Sequence, residues 1–335
     1  MRERSPSESR LLEPVDVGTE LRTTSDAALA TDLLVAHEEG QTPQMVTRRL
    51  GVVFWVAVGW MGLIIALALL APVITKAPTA GRAAGATESV WKVLPNPDQI
   101  GRPVNSLPTG GHLLGTDKLG RDLLSRLVWG ARVSLPVGFA SIALGLVIGG
   151  TVGIVAGYLK GWTDNTLMTA MDIILAFPAL LLALSIVSFT DQRDIPHIAL
   201  AIGIISIPQI SRLVRANTIT FREREFVTAA RTLGASHGRI IRREILPNVL
   251  PPVLSFAVIG IAVAIAAEAY LAFIGVSVPL PTSTWGGMIQ QAKDDLQSQP
   301  YQLFLPSAVL VTTILSLYFI GDRLGQLLNV RESAL

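Results

Sequence analysis

From Gly51 to Ile74 the chain runs without a single charged residue. As an α-helix this run is ~36 Å long, enough to cross a hydrocarbon core of ~30 Å. Lipid offers the backbone no hydrogen-bond partner, so a spanning segment must satisfy its own N–H and C=O groups, and the helix is the default. Arg48 and Arg49 precede the run and Lys76 follows it. Five more apolar stretches lie at about 133–157, 165–189, 197–215, 249–275 and 304–325, none with the polar periodicity of a surface helix. The expected fold class is therefore an all-α integral membrane protein with six transmembrane helices. Pro208 interrupts the fourth stretch, and Arg212 and Arg215 end it. Gly145, Gly149, Gly153 and Gly157 form a four-spaced ladder in the second, which predicts close approach of another helix.

Only 16% of the residues are charged and mean hydropathy is +0.51, against about 25% charged in a typical soluble domain. A net charge of +2 gives no electrostatic footprint for nucleic acid. There is no cysteine, which excludes disulfides, thiol nucleophiles and zinc–thiolate sites. His37, His112, His197 and His237 are scattered without metal-ligand spacing, so no metal site and no catalytic constellation is expected.

Residues 1–45 are polar and acidic and predict a disordered cytoplasmic tail; the first apolar run starts too late and is too long for a signal peptide. Six spans place both termini on one side. Residues 212–243 carry eight arginines, whereas 276–303 carry one basic residue, Lys293. The positive-inside rule therefore puts the loop at about 216–248, both termini and the short tail 329–335 in the cytoplasm. The segment at about 76–132 carries eight basic residues yet falls outside on this topology, as long loops can.

The cytoplasmic loop predicts a helix–turn–helix. Glu225 to Leu233 forms a short helix with Ala229 and Ala230 on it, and Gly234 supplies its left-handed end. Ser236 is placed to cap a second helix that runs to Ile245 and stops at Pro247, before the next span. The two alanines leave a shallow face that another protein's groove can approach.

This loop resembles the cytoplasmic "EAA" loop of permease subunits of ABC importers. Ala229, Ala230, Gly234 and Leu246-Pro247 stand at the family's spacing, with Thr228 in place of its Glu and Glu244 in place of its Ile. Phe226-Val227 and Leu233-Gly234-Ala235-Ser236 match the version found in the peptide-importer branch. A second match, over residues 112–135, resembles the dipeptide and oligopeptide permeases of the C type: His112, Gly115, Thr116, Asp117, Gly120, Arg121, Asp122, Ser125, Arg126, Gly130, Arg132 and Ser134. Asp117 and Asp122 can pair with Arg121 and Arg126, while Gly115 and Gly120 allow a turn that lays a short amphipathic helix on the interface. This segment is either a collar that locks the outer end of the pore or a contact for a docking protein or substrate. The likeness continues through Asp172 with Ala176-Phe177-Pro178, Glu268 with Leu271 and Gly275, Trp285-Gly286 and Gly321-Asp322, so it covers roughly residues 45–328.

The resemblance implies a type I ABC importer permease fold in a bacterial inner membrane, forming half of a translocation pathway for di- or oligopeptides. The implied partners are a homologous B-type permease, two ABC ATPase subunits, an extracytoplasmic substrate-binding protein and membrane lipid. The loop then couples to the ATPase through Phe226, Val227, Ala229, Ala230, Gly234, Ala235, Ser236, Leu246 and Pro247. No lysine follows a glycine, so the chain has no P-loop; ATP and Mg are expected on the partner subunits, with no cofactor bound by this chain. Asp172 and Glu268 are ionisable groups inside spans and hence functional candidates. Each either faces the pathway or pairs with a basic residue of a neighbouring helix. Nickel chelates, glutathione, opines and haem are alternative cargoes within the class. An ion-coupled secondary transporter would need more spans or a repeat, and a membrane enzyme would need a constellation that is absent here.

Overall fold

The computed structural model describes residues 51–75, 94–101, 103–108, 111–189 and 193–332. The tail expected over 1–45 lies outside them. Among the described residues ten α-helices appear: α1 (Val52–Ile74), α2 (Leu123–Leu159), α3 (Gly161–Leu175), α4 (Ala179–Ser188), α5 (Ile195–Arg222), α6 (Glu225–Thr232), α7 (His237–Ile240), α8 (Leu246–Phe273), α9 (Trp285–Ala292) and α10 (Pro300–Glu332). Five helical stretches are long and apolar enough to cross a membrane, and a bent pair supplies a sixth.

The fourth span runs past Arg215 to Arg222 and the last covers Pro300–Glu332, both longer than expected, and three further departures have a local reason. The second span begins ten residues early, at Leu123, because Asp122 caps it by accepting the Ser125 N–H at 2.8 Å. The interfacial helix expected before this span is thus its first three turns. The third span is not one helix: α3 and α4 meet at 81° around Ala176-Phe177-Pro178. Pro178 has no N–H and pushes Phe177 out of the helical region, so the ladder lapses there. Pro247 does not stop the loop's second helix. Instead Ile241–Ile245 widens into a π-turn, in which the Leu246 N–H reaches Ile241 O, and the helix continues from His237 to Phe273.

The packing centre is the α2–α5 pair. A Cβ on Gly149 would stand 2.6 Å from Ile207 O, and one on Gly153 would stand 2.5 Å from Ser211 O. Gly145 and Gly157 are as tightly faced, by Ile210 and by Arg215 and Thr218. The glycine ladder therefore receives one stripe of α5, made of Ile207, Ile210, Ser211, Val214 and Thr218. Pro208 sits inside α5, which stays helical across it. Ser141 Oγ, which donates to Val137 O at 2.7 Å, also lies 3.0 Å from Ala199 O on α5. On the other flank, α8 packs against α2 and α10, with Ser255 Oγ donating to Gly321 O at 2.7 Å. The first span, α1, touches α10 through Trp60 Nε1 and Thr313 Oγ1 at 3.1 Å, and leaves most of its surface for lipid.

Gly149→Val is expected to cost about 1–3 kcal/mol through overpacking against backbone. Gly150→Val, at a position with nothing within 4 Å, is expected to be neutral. Melting midpoints of the two detergent-solubilised variants check this; equal midpoints would remove the ladder from the packing centre.

Candidate functional site

Two groups of residues flagged in the sequence gather at opposite ends of the bundle. At one end α6 and α7 form a knob. Val227, Ile240 and Ile245 are fully buried and anchor it. Phe226, Ala229, Leu233, Gly234 and Ser236 point outward, Leu233 at 87% exposure. The helix is short because Gly234 takes φ +76°, a conformation only glycine adopts without penalty, and lets Ala235 N–H reach back to Ala230 O at 3.0 Å. Ser236 has the extended backbone of a cap, but its side chain makes no capping bond. Ala230 and Ala235 are half-buried against the core, and Leu246 and Pro247 lie in the helix behind the knob rather than on its face.

The knob is tied to the bundle by contacts the sequence did not announce. Tyr158, at the end of α2, hydrogen-bonds His237 Nδ1 at 2.9 Å, and the Arg222 guanidinium lies 5.8 Å from the centre of the same tyrosine ring. Lys160 donates to Glu223 at 2.7 Å and holds that carboxyl below the ordinary range. Arg215 on α5 grips Asp164 of α3 with two hydrogen bonds, at 2.5 and 2.6 Å. None of these pairs is visible as a spacing pattern, since each joins residues 51 to 79 positions apart.

At the other end His112, Gly115, Thr116, Asp117, Gly120, Arg121, Asp122 and Arg126 build a compact cap. Asp117 accepts from the backbone N–H groups of Leu119 and Arg121, both at 2.9 Å, and from Arg121 Nε at 2.7 Å. Arg121 also reaches Gln291 of α9. Asp122 takes His112 Nδ1–H at 3.0 Å on its second oxygen. Thr116 Oγ1 donates to Pro103 O at 2.7 Å, and Gln302 of α10 donates to Thr116 O at 3.0 Å. At Gly120, φ is +75° and a Cβ would lie 1.9 Å from Gly101 O, so the turn closes onto the neighbouring strand of chain. Asp117, Arg121, Asp122 and Arg126 are nearly all removed from solvent. Nearby, burial pushes the Asp98 carboxyl up, against the pull of Arg126 and Arg121. Asp117, Arg121 and Asp122 are thus spent on one another, on His112 and on the cap's own backbone, whereas Arg126 is buried 3.9 Å from Asp117 with both terminal nitrogens lacking a hydrogen-bond partner among the described residues.

Glu268 belongs to the same end and is 0% exposed. Ser134 of α2 donates to Oε2 at 2.9 Å, and Ser277, in the turn after α8, donates to Oε1 at 3.0 Å. This corrects both sequence expectations: Glu268 neither lines an open path nor pairs with a basic side chain, because two hydroxyls satisfy it inside the subunit. Beside it Trp285 is fully enclosed, donating to Leu127 O at 3.0 Å with its ring against Gly130. Asp172 is different. It lies on the surface at 59% side-chain exposure and pairs with Arg212 at 2.6 Å.

A model described as "binding-protein-dependent transport system inner membrane component" matches residues 149–333, from the middle of α2 through the knob to α10. The chain belongs to that family. The permease is 39% identical over 229 residues to the dipeptide transport system permease protein DppC of Alkalihalophilus pseudofirmus, which covers 68% of this chain and 75% of that one. It is 35% identical over 226 residues to the glutathione transport system permease protein GsiD of Pectobacterium atrosepticum, with 68% and 75% covered. Its fold is similar to an inward-facing structure of the MetNI methionine ABC transporter at a TM-score of 0.53, with 20% identity, covering 62% of this chain and 97% of that one. The protein is thus a multi-pass ABC importer permease of the inner membrane, a transport subunit and not an enzyme.

Ser134→Ala and Ser277→Ala each leave one oxygen of the buried Glu268 short of a donor. Each is expected to cost about 1–3 kcal/mol, and the double variant more than either. A thermal midpoint unchanged in both single variants would show that the carboxyl draws on other donors.

Proposed function

We propose that this permease carries di- or oligopeptides, as half of a pathway completed by a homologous B-type permease. One of two ABC ATPase subunits grips its knob, and an extracytoplasmic binding protein delivers the cargo at the cap. ATP and Mg are bound and used in the ATPase subunits. The observation that carries this reading is the knob itself: a short helix with buried aliphatic anchors and an outward face of Phe226, Ala229 and Leu233. A patch of that kind on a surface otherwise studded with arginines fits a protein groove better than water. The mechanical logic is direct. The knob follows α5 and contains the start of the long helix from His237 to Phe273, so a displaced knob tilts two spans together. A conformational change in the ATPase then becomes a change in the membrane, and the two states are biased by ligands held in other subunits. Peptide cargo is supported by the cap signature and by the relatives named for dipeptide and glutathione transport.

Ala229→Glu puts a charge and extra bulk on the gripping face and is expected to reduce ATPase copurification to what the partner permease alone retains, while the membrane helices assemble normally. Ala229→Ser is expected to retain it. In proteoliposomes holding the whole complex, labelled di- to pentapeptides should accumulate only with ATP and binding protein. Intact ATPase binding in Ala229→Glu would move the docking site elsewhere, and uptake of a metal chelate but no peptide would overturn the cargo.

A further inference from the structure

Helix α5 has two faces. One is pressed onto the glycine ladder of α2. On the other, Ile205, Gln209 and Arg212 follow one another at helical spacing, and Gln209 and Arg212 are exposed. Gln209 sits at the midpoint of Ile195–Arg222, ~20 Å from either end, and so within a hydrocarbon core of ~30 Å. Its side-chain amide makes no hydrogen bond among the described residues. An amide carries two donors and an acceptor, and acyl chains would leave all of them unpaired.

Two neighbours repeat the message. One turn further along α5, the Arg212–Asp172 pair is more than half exposed on both sides, a placement that hydrocarbon strongly disfavours. The backbone break between α3 and α4, which both pack on α5, begins four residues after Asp172, and non-helical backbone at membrane depth is tolerated where it is covered by protein or lines a wet cavity. Between α4, α5 and α8 lies a cavity of about 330 Å³, within the range of small-ligand pockets. Leu180, Ala183, Phe256 and Val263 help form its apolar walls, and its only polar side chains are Ser206 and Gln209. Ser206 already donates to Ile202 O at 2.9 Å, which leaves Gln209 as the free hydrogen-bonding group.

We infer that this cavity is a stretch of the cargo path and that Gln209 is the residue in it that hydrogen-bonds the amide backbone of a passing peptide. The inference rests on the peptide-importer function proposed above. A neutral amide complements a peptide group in both senses, donor to C=O and acceptor from N–H, without the charge that would hold the cargo in place. The apolar walls accept side chains of differing shape. Arg212 and Asp172 then mark a polar mouth toward the knob end.

The chain has no cysteine, so Gln209→Cys introduces the subunit's single thiol. The complete transporter is reconstituted in proteoliposomes, and modification of this chain is read by mass spectrometry. A charged, membrane-impermeant methanethiosulfonate is expected to label Cys at 209, with saturating peptide and binding protein slowing the labelling several-fold. Gln209→Leu is expected to reduce peptide uptake about fivefold to tenfold, the size of one neutral hydrogen bond, and Gln209→Asn to recover most of it. Copurification of all subunits confirms that each variant assembles. Reaction with an apolar maleimide but not with the charged reagent would place Gln209 against lipid and overturn the inference. Labelling seen only when the partner permease is omitted would place it in the subunit interface, with the same consequence. Labelling slowed by a non-peptide solute and not by peptides would retain the path, but overturn both the peptide cargo and the role of the amide.

Discussion

The close approach of α2 and α5 is the contact on which the rest of the permease depends. Four glycines bring one helix backbone against the other, with carbonyls and aliphatic side chains of α5 sitting where side chains of α2 would otherwise be. In lipid there is no hydrophobic force between apolar helices, so this fit supplies the attraction through dispersion and small-residue packing. Because the pair is closely packed along its length, it positions both ends of the subunit. The start of α2 is capped by Asp122 and carries the collar, while the end of α5 leads into the knob.

A second rigid element joins those ends. The helix from His237 to Phe273 is ~55 Å long and begins in the knob. Near its far end Glu268 bonds to Ser134 of α2 and to Ser277. A π-turn at Ile241–Ile245 precedes three prolines, Pro247, Pro251 and Pro252, and the helix continues through all of them. Knob and cap are therefore joined by continuous helix and a buried hydrogen-bonded carboxyl. Tyr158–His237 and Lys160–Glu223 close the same circuit at the knob end by tying it to α2.

Polar groups sort by depth and by burial. In the cap Asp117, Arg121 and Asp122 are consumed internally while Arg126 keeps two buried nitrogens without a partner among the described residues, and Glu268 is satisfied by hydroxyls. Gln209, Asp172 and Arg212 are instead left on a surface that single-chain packing does not cover. The difference separates groups that hold the subunit together from groups that face something beyond it. Asp172 and Glu268 looked equivalent as acids within apolar runs, yet they fall on opposite sides of this division.

Much of the architecture was legible along the chain. Long uncharged runs can only be helices in lipid, a four-spaced glycine row must face another helix, and Gly234 after two alanines ends a short helix, because all three follow from local backbone chemistry. The loop and cap motifs were legible for the same reason: their residues are close in sequence. The angle at Phe177-Pro178, the partners of Glu268, the bidentate grip of Arg215 on Asp164 and the two-faced character of α5 were not. The size of that angle is set by how α3 and α4 pack, the contacts of Glu268 and Asp164 join residues 9 to 134 positions apart, and a serine that bonds a carboxylate across the bundle is indistinguishable in sequence from one that bonds its own helix. Local pattern chooses the elements, whereas the faces they present and the charges they bury are set by packing, since only contact removes a side chain from solvent or lipid.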